Sequence, residues 1–376
     1  MGRVCFMRNS NLEILRILSM LTILTAHFSI FSNLFADVNG GELLLVRVMS
    51  SGSRIAVNVF LLIGTWFMVD APFRPMHAIR LYLILVFYSS LLTVLGLVLG
   101  MPLGVQQIVP GFFPFICLSA WFASAYISLI LLAPFLQHVV ELKKNRLRLL
   151  CIVLFVLVSG MSSATFTGQI DYLGDFLWFA VVYVLMGYLK HHTDFFARFG
   201  EAWFLVGGTC CYCGIVFFEF LMPDTLIASL CRNWLENIRS IPNFALALCV
   251  FAFCIRRKPN SVKVVDWLAR PAFSVYIIQA VPTVGMVLWP MLRERAPFPV
   301  DGSVGIAANL IVVPIGMYVV GGLVDGMRRN VFERWLLRCA LVRKLDELLQ
   351  RLYAPIVNVP MAGIAGDEPT KCRVDS

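Results

Sequence analysis

Residues 13–27 read EILRILSMLTILTAH, an apolar run that nonetheless carries Glu13, Arg16 and His27. An ionisable side chain inside a membrane span costs at least ~2.5–3.5 kcal/mol on insertion scales, which makes it a functional candidate by default. On an α-helix, the eleven steps from Arg16 to His27 turn roughly 1100°, about 20° past three full turns, and rise roughly 16 Å. Arg16 and His27 therefore share one face. Glu13, three residues before Arg16, is placed to pair with its guanidinium. A neutral-range imidazole suits proton transfer, and it can also carry an acyl group. The competing readings are structural: Arg16 snorkelling to the headgroups and His27 sitting at the opposite interface.

Other spans add polar positions. Asn58 interrupts RIAVNVFLLIGTWF, Trp121 opens a later apolar run, and Ser274, Tyr276 and Gln279 lie together in another. A spacing of three makes Tyr276 and Gln279 neighbours on a helix. Arg74, His77 and Arg80 cluster just before the third apolar block. Their plainest reading is the positive charge of a cytoplasmic connection.

The elements that must position these groups are membrane helices. Of 376 residues, 59% are hydrophobic and only 14% charged, too little charge for a surface that meets water throughout. The apolar blocks have the length that crosses about 30 Å of hydrocarbon. They predict an all-α polytopic membrane protein of ten spans near 11–31, 54–70, 79–100, 117–140, 149–167, 173–190, 202–222, 241–256, 271–290 and 304–324. Alternating strands of a barrel are absent from the pattern.

Charge sets the expected orientation. Arg47, Arg54, Arg232, Arg239, Arg293 and Arg295 fall on one set of connections; the rest of the 31 Lys and Arg residues, Arg16 apart, fall on the other set and the termini. The richer side is expected to be cytoplasmic, with both termini on it. The net charge of +9 then speaks of anionic lipid and not of nucleic acid. The first span, which carries Arg16 and lacks a small-residue cleavage site, is expected to be retained.

Eleven cysteines are present, and CCYC at 210–213 lies in an apolar run without a nearby His or acid. Such a run reads as soft packing, with neither a metal site nor a disulfide framework expected. The expected layout is a cytoplasmic N-terminus over 1–10, a membrane domain over 11–325 and an amphipathic helix over 326–353. In that helix Phe332, Trp335, Leu336, Val342, Leu345, Leu349 and Leu352 repeat at helical spacing. It would lie on the cytoplasmic leaflet or pack against cytosolic loops. Residues 354–376 read as a disordered tail.

Five ordered blocks carry a resemblance: LEILRILSMLTILTAHF (12–28), AVNVFLLIGTWFM (56–68), WFASAYISLILLAPFLQ (121–137), FAVVYVLMGYLKHH (179–192) and WLARPAFSVYIIQAVP (267–282). Together they resemble the membrane-bound acyltransferase-3 family, in particular its branch for bacterial surface polysaccharides, over about residues 9–325. Three features depart from the family pattern. Its serine–glycine pair is Gly64–Thr65 here; its two arginines three apart are His77 and Arg80, with Arg74 offset; and the histidine after the span-nine tyrosine is Gln279.

The resemblance implies an integral-membrane O-acyltransferase of a bacterial cell membrane. It would move an acetyl group from cytosolic acetyl-CoA to a sugar hydroxyl of a surface or lipid-linked polysaccharide, without a metal. His27 would act as base or acyl carrier, Arg16 would hold the donor's pyrophosphate or thioester arm, and Glu13 would orient Arg16. Arg74, His77 and Arg80 would meet the donor's phosphates, and Asn58, Trp121, Tyr276 and Gln279 would orient substrate, histidine or oxyanion. Membrane lipid, the glycan acceptor and polysaccharide-assembly proteins are the expected partners. Two other readings remain: a transporter or flippase for a lipid-linked glycan, and a non-catalytic member of a polysaccharide-assembly complex.

Overall fold

The computed structural model describes residues 9–160, 172–217, 225, 230, 234–235, 237–299, 302–333 and 336–357, and its ordered elements are helices. In chain order they are α1 Ser10–Phe31, α2 Leu34–Asp37, α3 Gly40–Ser51, α4 Ser53–Met68, α5 Pro75–Val98 and α6 Val105–Phe112. Next come α7 Trp121–Val140, α8 Lys144–Gly160, α9 Tyr172–His191, α10 Phe195–Arg198, α11 Glu201–Val216 and α12 Ile241–Arg256. The last are α13 Lys263–Ala269, α14 Ala272–Ala280, α15 Pro282–Glu294, α16 Ser303–Arg328, a π-turn Arg329–Glu333, and α17 Ala340–Val357.

Among the described residues, six helical stretches are long and apolar enough to cross a bilayer: Ser10–Phe31, Gly40–Met68, Pro75–Val98, Trp121–Val140, Leu173–His191 and Ser303–Glu333. Glu201–Val216 and Ile241–Arg256 are apolar but shorter. Leu91, Leu95 and Val98 on α5, Leu149, Ile152, Val153 and Val156 on α8, and Ile311, Ile315, Val319 and Leu323 on α16 are exposed. Apolar faces of that extent need lipid, since water would make them an aggregation surface.

The helix carrying the opening motif is the hub. Asn9 caps α1 through its side chain, which accepts from the Asn11 amide at 3.1 Å, and Glu13 in the first turn complements the helix dipole. Around α1 pack α3, α4, α12, α13, α14, α15 and α16. Ser10 Oγ donates to Asp266 Oδ1 at 2.9 Å and accepts from the Val262 amide at 2.7 Å, which fixes the start of α1 against α13. Farther along, Thr25 Oγ1 donates to the Leu310 carbonyl of α16 at 3.1 Å, and Ser50 of α3 donates to Ser29 at 2.8 Å.

Three expectations need correction. The span expected over 271–290 is two helices, α14 and α15, parted at Val281, whose backbone is extended (ψ 129°). Pro282 supplies the reason: its ring drives the preceding residue out of helical geometry and it offers no amide hydrogen. The connection beginning at Ser32 is largely helical, with α2 and α3 before α4. The single amphipathic helix expected over 326–353 is instead the end of α16, the π-turn and a separate α17.

α17 packs on the proximal end of the bundle, the end where α1 begins. Tyr353 lies 4.6 Å from the Phe73 ring and 6.0 Å from Phe135, and His138 Nε2 donates to the Ile356 carbonyl at 3.1 Å. The expected N-terminal segment up to residue 8, the ends of two spans (161–167 and 218–222), Trp335, and the tail beyond 357 lie outside the described residues.

Candidate active site

A cavity of about 780 Å³ opens at the proximal end, within the range typical of small-molecule and cofactor sites. α1 contributes Glu13 and Arg16, α4 Phe60 and Gly64, α5 His77 and Arg80, and α7 Phe122 and Tyr126. Trp267, Arg270 and Ser274 come from α13 and α14; Asp325, Arg328, Arg329 and Glu333 come from α16 and its π-turn.

Five guanidiniums thus face three carboxylates. Arg16 Nη1 pairs with Glu13 Oε2 at 2.5 Å. Asp325, which is 1% exposed, holds Arg328 at 3.0 Å and Arg329 at 2.8 Å and accepts from the Tyr88 hydroxyl at 3.1 Å. Glu333 bridges Arg80 and Arg328, the latter at 3.0 Å. The π-turn makes this bridge possible, because a wider turn at 329–333 re-aims Glu333 toward α5. The exposed Arg270 stands at the mouth beside the exposed Trp267. A cavity with surplus guanidinium and fork geometry suits a phosphate-bearing ligand.

Aromatic rings form the inner wall. Phe122 stacks on Tyr126 at 6.0 Å, meets Phe60 at 6.2 Å, and lies edge-on to Tyr276 at 5.4 Å. The Phe122 amide donates to the Tyr276 hydroxyl at 3.3 Å. Gly64 is required by this wall: a Cβ there would lie 2.6 Å from Tyr126 Oη. A serine at 64 would require Tyr126 to shift. Thr65 turns its hydroxyl back to the Leu61 carbonyl at 2.8 Å.

His27 is not part of the cavity lining; it sits about 16 Å farther along α1 than Arg16. Its Nδ1 is hydrogen bonded to Gln279 Oε1, and its ring meets Phe31 edge-on at 5.2 Å. Since a carbonyl oxygen only accepts, Nδ1 is the donor in this contact. Gln279 is fully buried, and its Nε2 has no partner among the described residues. The residue standing where the family pattern has a histidine therefore touches His27 directly.

The remaining sequence candidates are scattered. Asn58 donates to the Ile238 carbonyl at 2.7 Å and the Arg54 carbonyl at 3.2 Å, and accepts from Trp178 Nε1 at 2.9 Å. Trp121 stacks on Phe179 at 6.2 Å and lines a separate apolar hollow of about 440 Å³. Arg74 occupies the N-cap position of α5 without a side-chain capping bond and is not part of the cavity lining. Sequence reasoning missed Tyr126, Trp267, Arg270, Asp325, Arg328, Arg329 and Glu333. A signal existed for some: Asp325 precedes Arg328 by three and Arg329 by four, the spacing of helical ion pairs.

A membrane-embedded helical bundle with a cationic cavity at one end of a hub helix and a buried imidazole farther along it is the class of protein these elements define. The acyltransferase domain model of the acyltransferase-3 family matches residues 9–324. The chain belongs to that family and is a multi-pass membrane acyltransferase. Comparison with curated proteins and with solved structures gave no match.

Proposed function

We propose that the protein takes an acetyl group from cytosolic acetyl-CoA and sets it on a sugar hydroxyl of a surface or lipid-linked polysaccharide in a bacterial cell membrane. In this reading it has ten spans with both termini cytoplasmic. One observation carries the proposal: α1 runs from a cationic cavity at its start to the His27–Gln279 pair in its distal half.

The cavity supplies what a thioester of a nucleotide phosphate needs. Arg16, Arg80, Arg270 and Arg328 offer cationic contacts to its phosphates, and His77 lines the same cavity. Trp267 offers a ring face at the mouth, and the wall of Phe60, Phe122 and Tyr126 suits the thioester arm. Glu13 fixes Arg16 in place. His27 takes the acceptor's hydroxyl proton as the acyl carbon is attacked, or carries the acyl group itself.

The break between α14 and α15 is also what a transporter would place at a midplane site, and one experiment separates the readings. The purified chain in nanodiscs is given acetyl-CoA and surface glycan, and free thiol and ester-linked acetate are measured. Stoichiometric appearance of both is expected. A protein that neither binds nor consumes acetyl-CoA would be a transporter or scaffold.

A further inference from the structure

The contact between His27 and Gln279 fixes more than a position. A neutral imidazole has two tautomers, and which one is present follows from the partner of its other nitrogen. Here Nδ1 faces Gln279 Oε1, an atom that can only accept. Gln279 is fully buried on α14, one turn after Tyr276. Tyr276 is itself tied to the α7 backbone at Phe122. Two residues after Gln279 the chain leaves helical geometry at Val281, so α14 ends just beyond the amide. The Nε2 of the same amide is buried with no partner among the described residues. A buried amide donor without a partner loses free energy of about 1–3 kcal/mol, which a ligand oxygen would recover.

We infer that Gln279 is the positioning residue of the reaction: its Oε1 holds His27 in the Nδ1–H tautomer, so that Nε2 is the reacting nitrogen, while its Nε2 donates to an oxygen of the bound substrate. The inference rests on the acyl-transfer reading for its chemistry. The acceptor hydroxyl gives its proton to His27 Nε2 as its oxygen bonds to the acyl carbon. The carbon–sulfur bond breaks with its electron pair on sulfur, and the imidazolium returns the proton to the thiolate. No charge or atom is left over, and Gln279 neither gains nor loses a proton. A glutamine performs this task where a carboxylate would have to be buried charged, at far greater cost.

The test has two readouts. In the full chain in nanodiscs, labelled with ¹⁵N-histidine, the His27 signals are assigned by comparison with His27→Gln. The wild type is expected to show a protonated Nδ1 and an unprotonated Nε2. Gln279→Leu is expected to lose that preference and to lower the transfer rate at saturating acetyl-CoA on the order of 100-fold, the scale of a misdirected general base, with donor KM little changed. Gln279→Glu, which keeps an acceptor oxygen toward Nδ1, is expected to keep the tautomer and recover part of the rate. A wild-type His27 protonated at Nε2, or a tautomer unchanged in Gln279→Leu, would overturn the inference. If Gln279→Leu does not fold, the wild-type spectrum and Gln279→Glu still decide the question. The spectrum does not depend on turnover, so a wild type with the expected tautomer and no transfer would sink the proposed function and not the pairing.

Discussion

Two polar regions share α1 and are built on opposite principles. Around Arg16 every acid found is paired to a guanidinium, in a cavity that opens to solvent. Around His27 the polar contact is to a neutral amide, with Phe31 at its edge. The difference follows from what each place can tolerate. Around the cavity the buried charges are compensated by partners, Asp325 by Arg328 and Arg329, and the surplus guanidinium charge is useful for gathering an anion. Deeper in, a charged partner would carry a heavy desolvation cost, so orientation is set by a hydrogen bond alone.

The sharpest break of that comparison is His27→Ala. It is expected to lower acyl transfer by about 10²- to 10⁴-fold, the contribution typical of a positioned base, with expression and thermal unfolding close to wild type. Retained turnover would remove the histidine from the chemistry. Asp325→Ala attacks the other region through stability. It leaves the buried Arg328 with less compensation and is expected to cost about 3 kcal/mol, read as a lowered Tm with acetyl-CoA absent. Arg16→Lys keeps the charge but not the fork, and is expected to raise donor KM roughly 10-fold with a smaller effect on kcat. The smallest effect belongs to Arg74→Ala. Its side chain does not line the cavity, so donor KM should stay within about twofold, while Arg80→Ala, measured alongside, should shift it more.

The opening motif was legible because its logic is local. Glu13 and Arg16 pair at a helical spacing of three, as expected, and Asn9 and Glu13 announce the helix start. The break at Val281 was also written locally, in the proline that follows it, yet hydropathy alone joined α14 to α15. Asn58 shows the opposite failure. An intramembrane asparagine signals a need for partners, but not that they are Trp178 and the Ile238 carbonyl. The same limit hid the cavity: Arg80 and Glu333 lie in segments whose approach depends on how α5 and the π-turn after α16 pack.

What the sequence determined by itself was the membrane class, the face that Arg16 and His27 share, and the family. Each is a matter of composition, helical period or ordered motif. What only the tertiary structure decided was who meets whom across helices: Gln279 against His27, Tyr126 against Gly64, Glu333 between Arg80 and Arg328. Within one helix, contacts follow from a rise and a rotation that every residue shares. Between helices they depend on packing that no single segment encodes.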